Sequence, residues 1–354
     1  MHRNTTLILA FNVFISTLVV LTSHHWFTIW VGLEMNTLSI LPILCSNFSP
    51  RNVEATIKYF LVQSFSAALI LNAALIQAWL YSSWSIAHPL NTFTSIIFTL
   101  ALSLKLGLFP CHYWFPDVIQ GVNFVQGLIL STWQKVAPLV ILFYICSNTI
   151  NNTCLIIIGV LSALVGGWAG LNQTQVRKIL AFSSISHMGW ICSIISYSPN
   201  ISMVMMLVYI IINSSAFILS NELRLNNLSL LGRISTISSA AGVFLGVVVL
   251  SLGGLPPLTG FINKFLGLNC LIHNSSFAAS VILIISSLLS LFFYLRIAFN
   301  SSLIFFPQHS LTMFSWRNSE NVKNSVTVLS MILCILVCLS IFGLSTFPLL
   351  SSLN

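Results

Sequence analysis

Charge is what this sequence has least of: Asp, Glu, Lys and Arg together make up 5% of its 354 residues, while 57% are apolar. Soluble domains carry about 25% charged residues, so a water-facing surface of ordinary composition cannot be built and a soluble enzyme or carrier is excluded. The signatures of cofactor proteins are missing too. There is no GxGxxG, no Walker loop and no CxxC pair, which leaves this polypeptide without a recognisable nucleotide, flavin or iron–sulfur site. The eight cysteines have no metal-ligand spacing. Cys334 and Cys338 stand four apart inside an apolar run, and Cys111, Cys146, Cys154, Cys192 and Cys270 are isolated, as expected of small buried hydrophobes. No basic run is longer than Arg177-Lys178, so the pI near 9.2 reflects topology rather than nucleic-acid binding.

What is present is apolar sequence from end to end, with a mean hydropathy of +0.98. At about 20 residues per membrane span plus a short loop, the chain holds roughly eleven helices. Runs between polar or Pro/Gly punctuation predict them near 4–22, 25–45, 55–80, 92–120, 123–147, 153–171, 174–196, 200–220, 237–270, 276–299 and 325–347. The first run, Leu7 to Leu21, has no small-residue cleavage site after it, only His24-His25-Trp26, and reads as a retained helix rather than a signal peptide.

The few charges test this arrangement. Alternate ends and loops carry Arg3; Arg51, Glu54 and Lys58; Asp117; Arg177 and Lys178; Glu222, Arg224 and Arg233; and Arg317, Glu320 and Lys323. The intervening loops, around Ser23, 81–91, 147–152, 198–200 and 273–275, and the tail after Thr346, carry none. A miscounted helix would mix the two sets. The positive-inside rule then places the N-terminus and charged loops on the cytoplasm-like side, the matrix if the membrane is mitochondrial, and the C-terminus opposite.

Two predicted helices are overlong and carry breakers: Lys105-Leu106-Gly107-Leu108-Phe109-Pro110 in the fourth, and Gly253-Gly254-Leu255-Pro256-Pro257 in the ninth. Proline removes a backbone donor and clashes with the preceding turn. Broken helices at membrane depth occur where they are packed in protein or line polar cavities, notably at ion sites of transporters built from repeats. Each break has a lysine nearby, Lys105 and Lys264, and each lies in the fourth helix of a block of five. The expected organisation is a single membrane domain with two inverted five-helix repeats, residues 1–150 and 151–300, followed by a loop and last helix in 301–354.

Once loop charges are set aside, Glu34, Lys105, Lys135, Lys264 and Arg296 remain in or beside apolar runs, with His112 and His187. A charge at a helix centre costs roughly 2.5–3.5 kcal/mol on insertion scales, so each one needs a reason. A structural ion pair would explain Glu34, and snorkelling to an interface would explain Arg296. For the central lysines the expected reason is proton transfer, since desolvation and a movable carboxylate pull a lysine's proton affinity in opposite directions. That logic pairs Glu34 with Lys105, and leaves Lys264, which has no acidic partner in sequence, poised to lose its charge. His187 lies among Ser183, Ser184 and Ser186, where imidazole can relay protons through its two nitrogens or simply be a satisfied buried group. His112 beside the first break is a weaker case. His24, His25, His88, His273 and His309 read as loop or interface residues.

Several long motifs, in fixed order across the chain, are similar to one family. Gly32-Leu33-Glu34-Met35-Asn36-Thr37, Glu54-Ala55-Thr56-Ile57-Lys58-Tyr59-Phe60-Leu61, Leu104 to Pro110, Leu130-Ser131-Thr132-Trp133-Gln134-Lys135-Val136-Ala137-Pro138, Gly166 to Gln175, Arg177-Lys178 through His187-Met188-Gly189, and Gly254 to Phe261 resemble the subunit 2 family of mitochondrial NADH:ubiquinone oxidoreductase, respiratory complex I. The resemblance implies an antiporter-like, proton-translocating membrane subunit with a polar axis along the midplane. In it Glu34 and Lys105 form the charge pair, Lys135 is the central relay, Lys264 is the lysine of the second broken helix, and His112 and His187 contribute. It further implies that NADH, FMN, iron–sulfur clusters and ubiquinone are used by other subunits and none by this chain. The implied partners are neighbouring antiporter-like subunits and phospholipid, in the mitochondrial inner membrane. Asp117 stands where many relatives have glutamate. The chain begins at the equivalent of the fourth helix of bacterial relatives, and the lack of a long amphipathic helix after the last span sets it apart from the most distal antiporter-like subunit. The main rival reading is a free-standing cation/proton antiporter, which shares the lysines and broken helices; a purely structural spacer is the other.

Overall fold

Helix starts and stops follow local chemistry. Ser49 accepts a hydrogen bond from the Asn52 backbone N–H at 3.3 Å and Pro50 fills the first helical position, a position where a missing N–H costs nothing. The third helix therefore begins at Pro50, a turn before its apolar run. The computed structural model describes residues 3–46, 48–148, 153–233, 239–303 and 337–338. In order they form α1 (Arg3–Thr22), α2 (Trp26–Leu44), α3 (Pro50–Tyr81), α4 (Thr92–Leu106), α5 (Trp114–Gly121), α6 (Phe124–Ser131), a 3₁₀ turn (Trp133–Lys135), α7 (Val136–Ser147), α8 (Thr153–Gly170), α9 (Val176–Ile195), α10 (Pro199–Glu222), α11 (Ser239–Gly253), α12 (Gly260–His273) and α13 (Phe277–Ala298). Eight helices or helix pairs are long and apolar enough to cross a membrane, and α4 and α11 are the shorter apolar halves of the two broken spans. Every expected crossing up to residue 299 is thus accounted for. The last, over 325–347, lies outside the described residues except for 337–338, as do Arg317, Glu320 and Lys323.

Both expected breaks are present, but glycine rather than proline ends the helix. Gly107 (φ +71°) and Gly254 (φ +73°) adopt the left-handed conformation that an L side chain disfavours. At the first, Leu108 N–H reaches Ser103 O at 2.9 Å and Gly107 N–H reaches Leu104 O at 3.2 Å; at the second, Leu255 reaches Leu250 O at 3.5 Å and Gly254 reaches Ser251 O at 3.0 Å. These are the paired bonds that close a helix C-terminus on a glycine. Pro110 and Pro256 follow and prevent the helix from resuming at once.

A third discontinuity corrects the expectation of a continuous fifth helix. Thr132 departs from helical geometry (φ −113°, ψ −73°) and a single 3₁₀ turn, Trp133–Lys135, joins α6 to α7. The reason is Pro138, which has no N–H to donate to Gln134 O and whose ring crowds that carbonyl.

The centre of the bundle is α9, most of whose side chains are buried. It packs closely on α8: a Cβ on Gly189 would lie 2.6 Å from the Ala163 nitrogen, and one on Gly159 2.8 Å from the Ser193 nitrogen. Small residues that let backbones approach this closely are the usual means of packing helices in lipid. Large apolar side chains such as Leu7, Phe65, Trp79 and Trp168 face outward.

Loop contacts fall into two sets. At one end Lys58 joins Asp117, Arg177 joins the Val122 carbonyl and Asn226, and Gln175 bridges to Asn227. At the other, His25 bridges to Ser85, Asn148 bonds the Ile86 carbonyl and Ser198 meets Cys270. The charged loops gather at the first end and the uncharged loops at the second.

Candidate functional site

Each central lysine sits at a discontinuity. A helix C-terminus exposes carbonyls with no intrahelical partner and carries the negative end of the helix dipole, so a cation there is favoured even when buried. Lys105 is in the last turn of α4 and 6% exposed. Its Nζ donates to Gln63 Oε1 at 3.4 Å, while Gln63 Nε2 donates back to Lys105 O at 3.4 Å. Lys135 ends the 3₁₀ turn and is 2% exposed. Lys264, in the first turns of α12, reaches back across the second break and donates to Gly253 O at 2.6 Å, a carbonyl freed by the end of α11.

These side chains connect through neutral polar groups. Lys105 and Lys135 line one small cavity of about 20 Å³ together with Thr37, Gln63 and Gln134. That is enough for a water molecule. From the cavity Lys135 points to α9, where its Nζ donates to Ser184 Oγ at 3.1 Å and lies 4.3 Å from the centroid of the Phe115 ring. One turn further along α9, His187 Nε2 is 3.3 Å from the Tyr294 hydroxyl, and its ring packs 5.6 Å from that of Tyr209. The Tyr209 hydroxyl donates to Ser131 O at 3.0 Å, next to the break that places Lys135. His187 lies within Coulombic range of both Lys135 and Lys264 and faces the Leu252 carbonyl, adjacent to the Gly253 that holds Lys264.

The remaining candidates are less joined. Glu34 is half-buried on α2 and accepts from Thr37 Oγ1 at 3.3 Å. It makes no ion pair with Lys105: among the described residues the ion pairs are Lys58 with Glu54 at 2.6 Å and with Asp117 at 3.6 Å. Thr37, which bonds Glu34, and Gln63, which bonds Lys105, both line the lysine cavity. His112 is held by Pro110 O at 3.1 Å from Nδ1 and packs on Tyr113, outside the lining of the lysine cavity. Arg296 donates to Leu171 O at 3.3 Å and belongs to the charged end of the bundle.

The family described as NADH:quinone oxidoreductase/Mrp antiporter, TM matches residues 23–290, and that described as NADH dehydrogenase subunit 2 C-terminus matches residues 291–351. NADH-ubiquinone oxidoreductase chain 2 of Patiria pectinifera is 59% identical over 353 residues, covering 100% of this chain and 99% of its own. That of Pisaster ochraceus is 58% identical over 352 residues, 99% of each. The chain belongs to the NADH-ubiquinone oxidoreductase chain 2 family. The chain 2 fold recurs in a chain of respiratory complex I from Thermus thermophilus, with a TM-score of 0.81 and 23% identity over 98% of this chain and 80% of that one. It recurs also in the Mrp complex of a Dietzia species, with a TM-score of 0.82 and 15% identity over 98% of this chain and 76% of that one.

In this chain 2 family member, the charged members of the constellation are legible in the sequence and most of the neutral ones are not. Gln63, Tyr209 and Tyr294 were not singled out. The signal was available, since a polar side chain in the middle of an apolar run usually has a buried partner.

Proposed function

We propose that this subunit carries protons along a buried axis from Glu34 through Lys105, Lys135 and His187 to Lys264, driven by NADH-to-ubiquinone electron transfer elsewhere in complex I. The observation that carries this reading is the cavity shared by Lys105 and Lys135. Two amine groups around a site for water, with Lys135 bonded onward to Ser184 one turn of α9 before His187, form a series of proton donors and acceptors. A proton leaving Lys105 passes to the cavity water and on to Lys135 when that amine is neutral. Lys135 then hands it to the hydroxyl and imidazole groups on α9. Glu34, bonded here to Thr37 rather than Lys105, draws a proton toward Lys105 when it approaches and releases it when it withdraws. The repeats, residues 1–150 and 151–300, would each supply one broken helix and one lysine to this axis.

The subunit is a multi-pass protein of the mitochondrial inner membrane, with other membrane-arm subunits and phospholipid as partners. NADH, FMN, iron–sulfur clusters and ubiquinone act in those other subunits. A free-standing antiporter shares the fold, and the two readings separate on purification, because this one requires comigration with NADH dehydrogenase activity.

Lys135→Met tests the axis. Methionine approximates the lysine stem, so packing is kept and only the proton-binding group is lost. Assembled complex in normal amount, with coupled turnover and pumping reduced at least tenfold, is the expected result. Arginine should fail as well, because it does not release its proton. Wild-type pumping in the methionine variant would leave Lys135 as a structural charge.

A further inference from the structure

The lysine cavity has an open neighbour on the charged side. Residues 51, 55, 59 and 63 form one stripe along α3, and the stripe lines two cavities in succession. Arg51, Glu54, Ala55 and Lys58, with Asp117 and Gln120 of α5, line an open, strongly polar vestibule of about 450 Å³. Tyr59 and Gln63, with Trp114 and Phe115 of α5, line the small cavity that holds Lys105 and Lys135. The two spaces follow each other along the seam between α3 and α5, and Tyr59 is the residue at the step from one to the next. Its ring packs 5.9 Å from that of Trp114 at an interplanar angle of 59°, with fully buried Val118 beside it.

The backbone of this seam is fixed while the partition consists of side chains. At Ala55 and Gly121 the two helices touch: a Cβ on Gly121 would lie 2.6 Å from the Ala55 Cβ and 2.9 Å from Arg51 O. A passage along the seam requires the Tyr59 ring to rotate away from Trp114, which is held by its Nε1 bond to Leu104 O at 3.2 Å. Among the described residues the Tyr59 hydroxyl has no hydrogen-bond partner, although the residue is 2% exposed. It is a free donor and acceptor at the wall of a space that fits water. In the vestibule Lys58 is shared between Glu54 at 2.6 Å and Asp117 at 3.6 Å. These carboxylates are about half exposed or more, so they exchange protons with bulk water.

The geometry points to Tyr59 as a gate through which protons collected by the Glu54–Lys58–Asp117 vestibule enter the lysine cavity. This deepens the proposed function and rests on it. When the ring swings, its hydroxyl accepts a proton passed from the Glu54–Lys58–Asp117 cluster through a vestibule water as it donates its own, through the cavity water, to Lys105 in its neutral amine form. Tyr59 ends the step neutral, and one proton has moved toward Lys105. When the ring returns, the cavity is closed to solvent and the proton cannot leak back.

Complex assembled with variant subunits and reconstituted into phospholipid vesicles provides the test, with NADH-driven acidification and passive proton leak both measured. Tyr59→Phe keeps the ring and removes the hydroxyl: pumping should fall about tenfold with leak unchanged, and a solvent deuterium effect on the residual rate should grow. Tyr59→Ala removes the partition, and passive leak should rise severalfold. Wild-type turnover, proton yield and isotope effect in assembled Tyr59→Phe would overturn the gate. If Tyr59→Ala does not assemble, the phenylalanine variant decides alone. Lys135→Met is run in parallel. Wild-type pumping there refutes the axis itself, whereas a dead Lys135→Met beside wild-type Tyr59 variants refutes only this entry point.

Discussion

Lys135 has a weaker hold on its surroundings than its burial demands. An ammonium removed from water needs several donors satisfied, yet Nζ has one hydroxyl at 3.1 Å, one carbonyl at 3.5 Å and two aromatic faces. A group held so loosely can change partners, which a carrier requires and a structural ion pair does not. Ser184 is therefore the contact to remove. A hydrogen bond to a charged group contributes about 1.5–3 kcal/mol, so Ser184→Ala should slow coupled turnover on the order of tenfold, less than Lys135→Met, with the complex assembled. Unchanged turnover would show that Lys135 passes its proton by another route. At this scale the sequence is a good guide to charges and a poor one to their companions. Glu34, Lys105, Lys135 and Lys264 stand out because a charge in an apolar run is expensive. Gln63 and Tyr209 do not, because a neutral polar side chain in a membrane helix costs far less than a charge, and Ser184 stands out only as one of the hydroxyls around His187. The Glu34–Lys105 pairing read from charge is a movable one, and in this structure the Lys105 ammonium donates to Gln63 Oε1 at 3.4 Å while Glu34 accepts from Thr37 at 3.3 Å.

Glycines set the form of the elements and separate function from assembly. At Gly254 an added Cβ would lie 2.9 Å from Cδ and Cε of Lys264. That neighbour is flexible and can move, but it is the functional side chain, and moving it breaks the bond to Gly253 O. With the left-handed φ adding about 1–2 kcal/mol of strain, Gly254→Ala should give assembled complex with impaired pumping. At Gly189 the neighbours are the backbone atoms of α8 at 2.6 Å, which cannot move without parting the two helices. Gly189→Ala should therefore deplete assembled complex on native gels. The reverse pattern, with Gly189→Ala abundant and Gly254→Ala absent, would contradict this account of the packing. Both long breaks were legible, since Pro110 and Pro256 mark them, although the stopping residues are Gly107 and Gly254. The break before Lys135 was hidden because 123–147 has the length of a single span and Pro138 falls a few residues past the irregular turn it causes. That omission matters: without the break, Lys135 would sit on a regular helix with its carbonyls already bonded.

At the scale of the whole molecule, loop chemistry predicts which face of the membrane each end meets. The charged loops contact one another at one end, through Lys58 with Asp117, Arg177 with Val122 and Asn226, and Gln175 with Asn227. The uncharged loops meet at the other, through His25 with Ser85 and Asn148 with Ile86. An error of one helix in the count would have brought a charged loop against an uncharged one, so the alternation read from charge and the contacts seen in three dimensions support each other independently. The positive-inside rule keeps loops with Lys and Arg on the cytoplasm-like side, and we propose that for this subunit that side is the matrix. In the proposed orientation the vestibule before Tyr59 opens to the matrix, the side from which protons are taken, and the prediction is that the loop at Ser82–Ser85 faces the intermembrane space. Single cysteines at Ser82 and at Asn227, both in turns at the bundle ends, make this measurable in intact complex against a background lacking reactive cysteines. A membrane-impermeant thiol reagent should label Ser82→Cys in mitoplasts, where the outer face is exposed, and Asn227→Cys only in inverted inner-membrane vesicles. The opposite pattern would reverse the direction of the axis: the vestibule would become an exit, and Tyr59 would guard release rather than uptake.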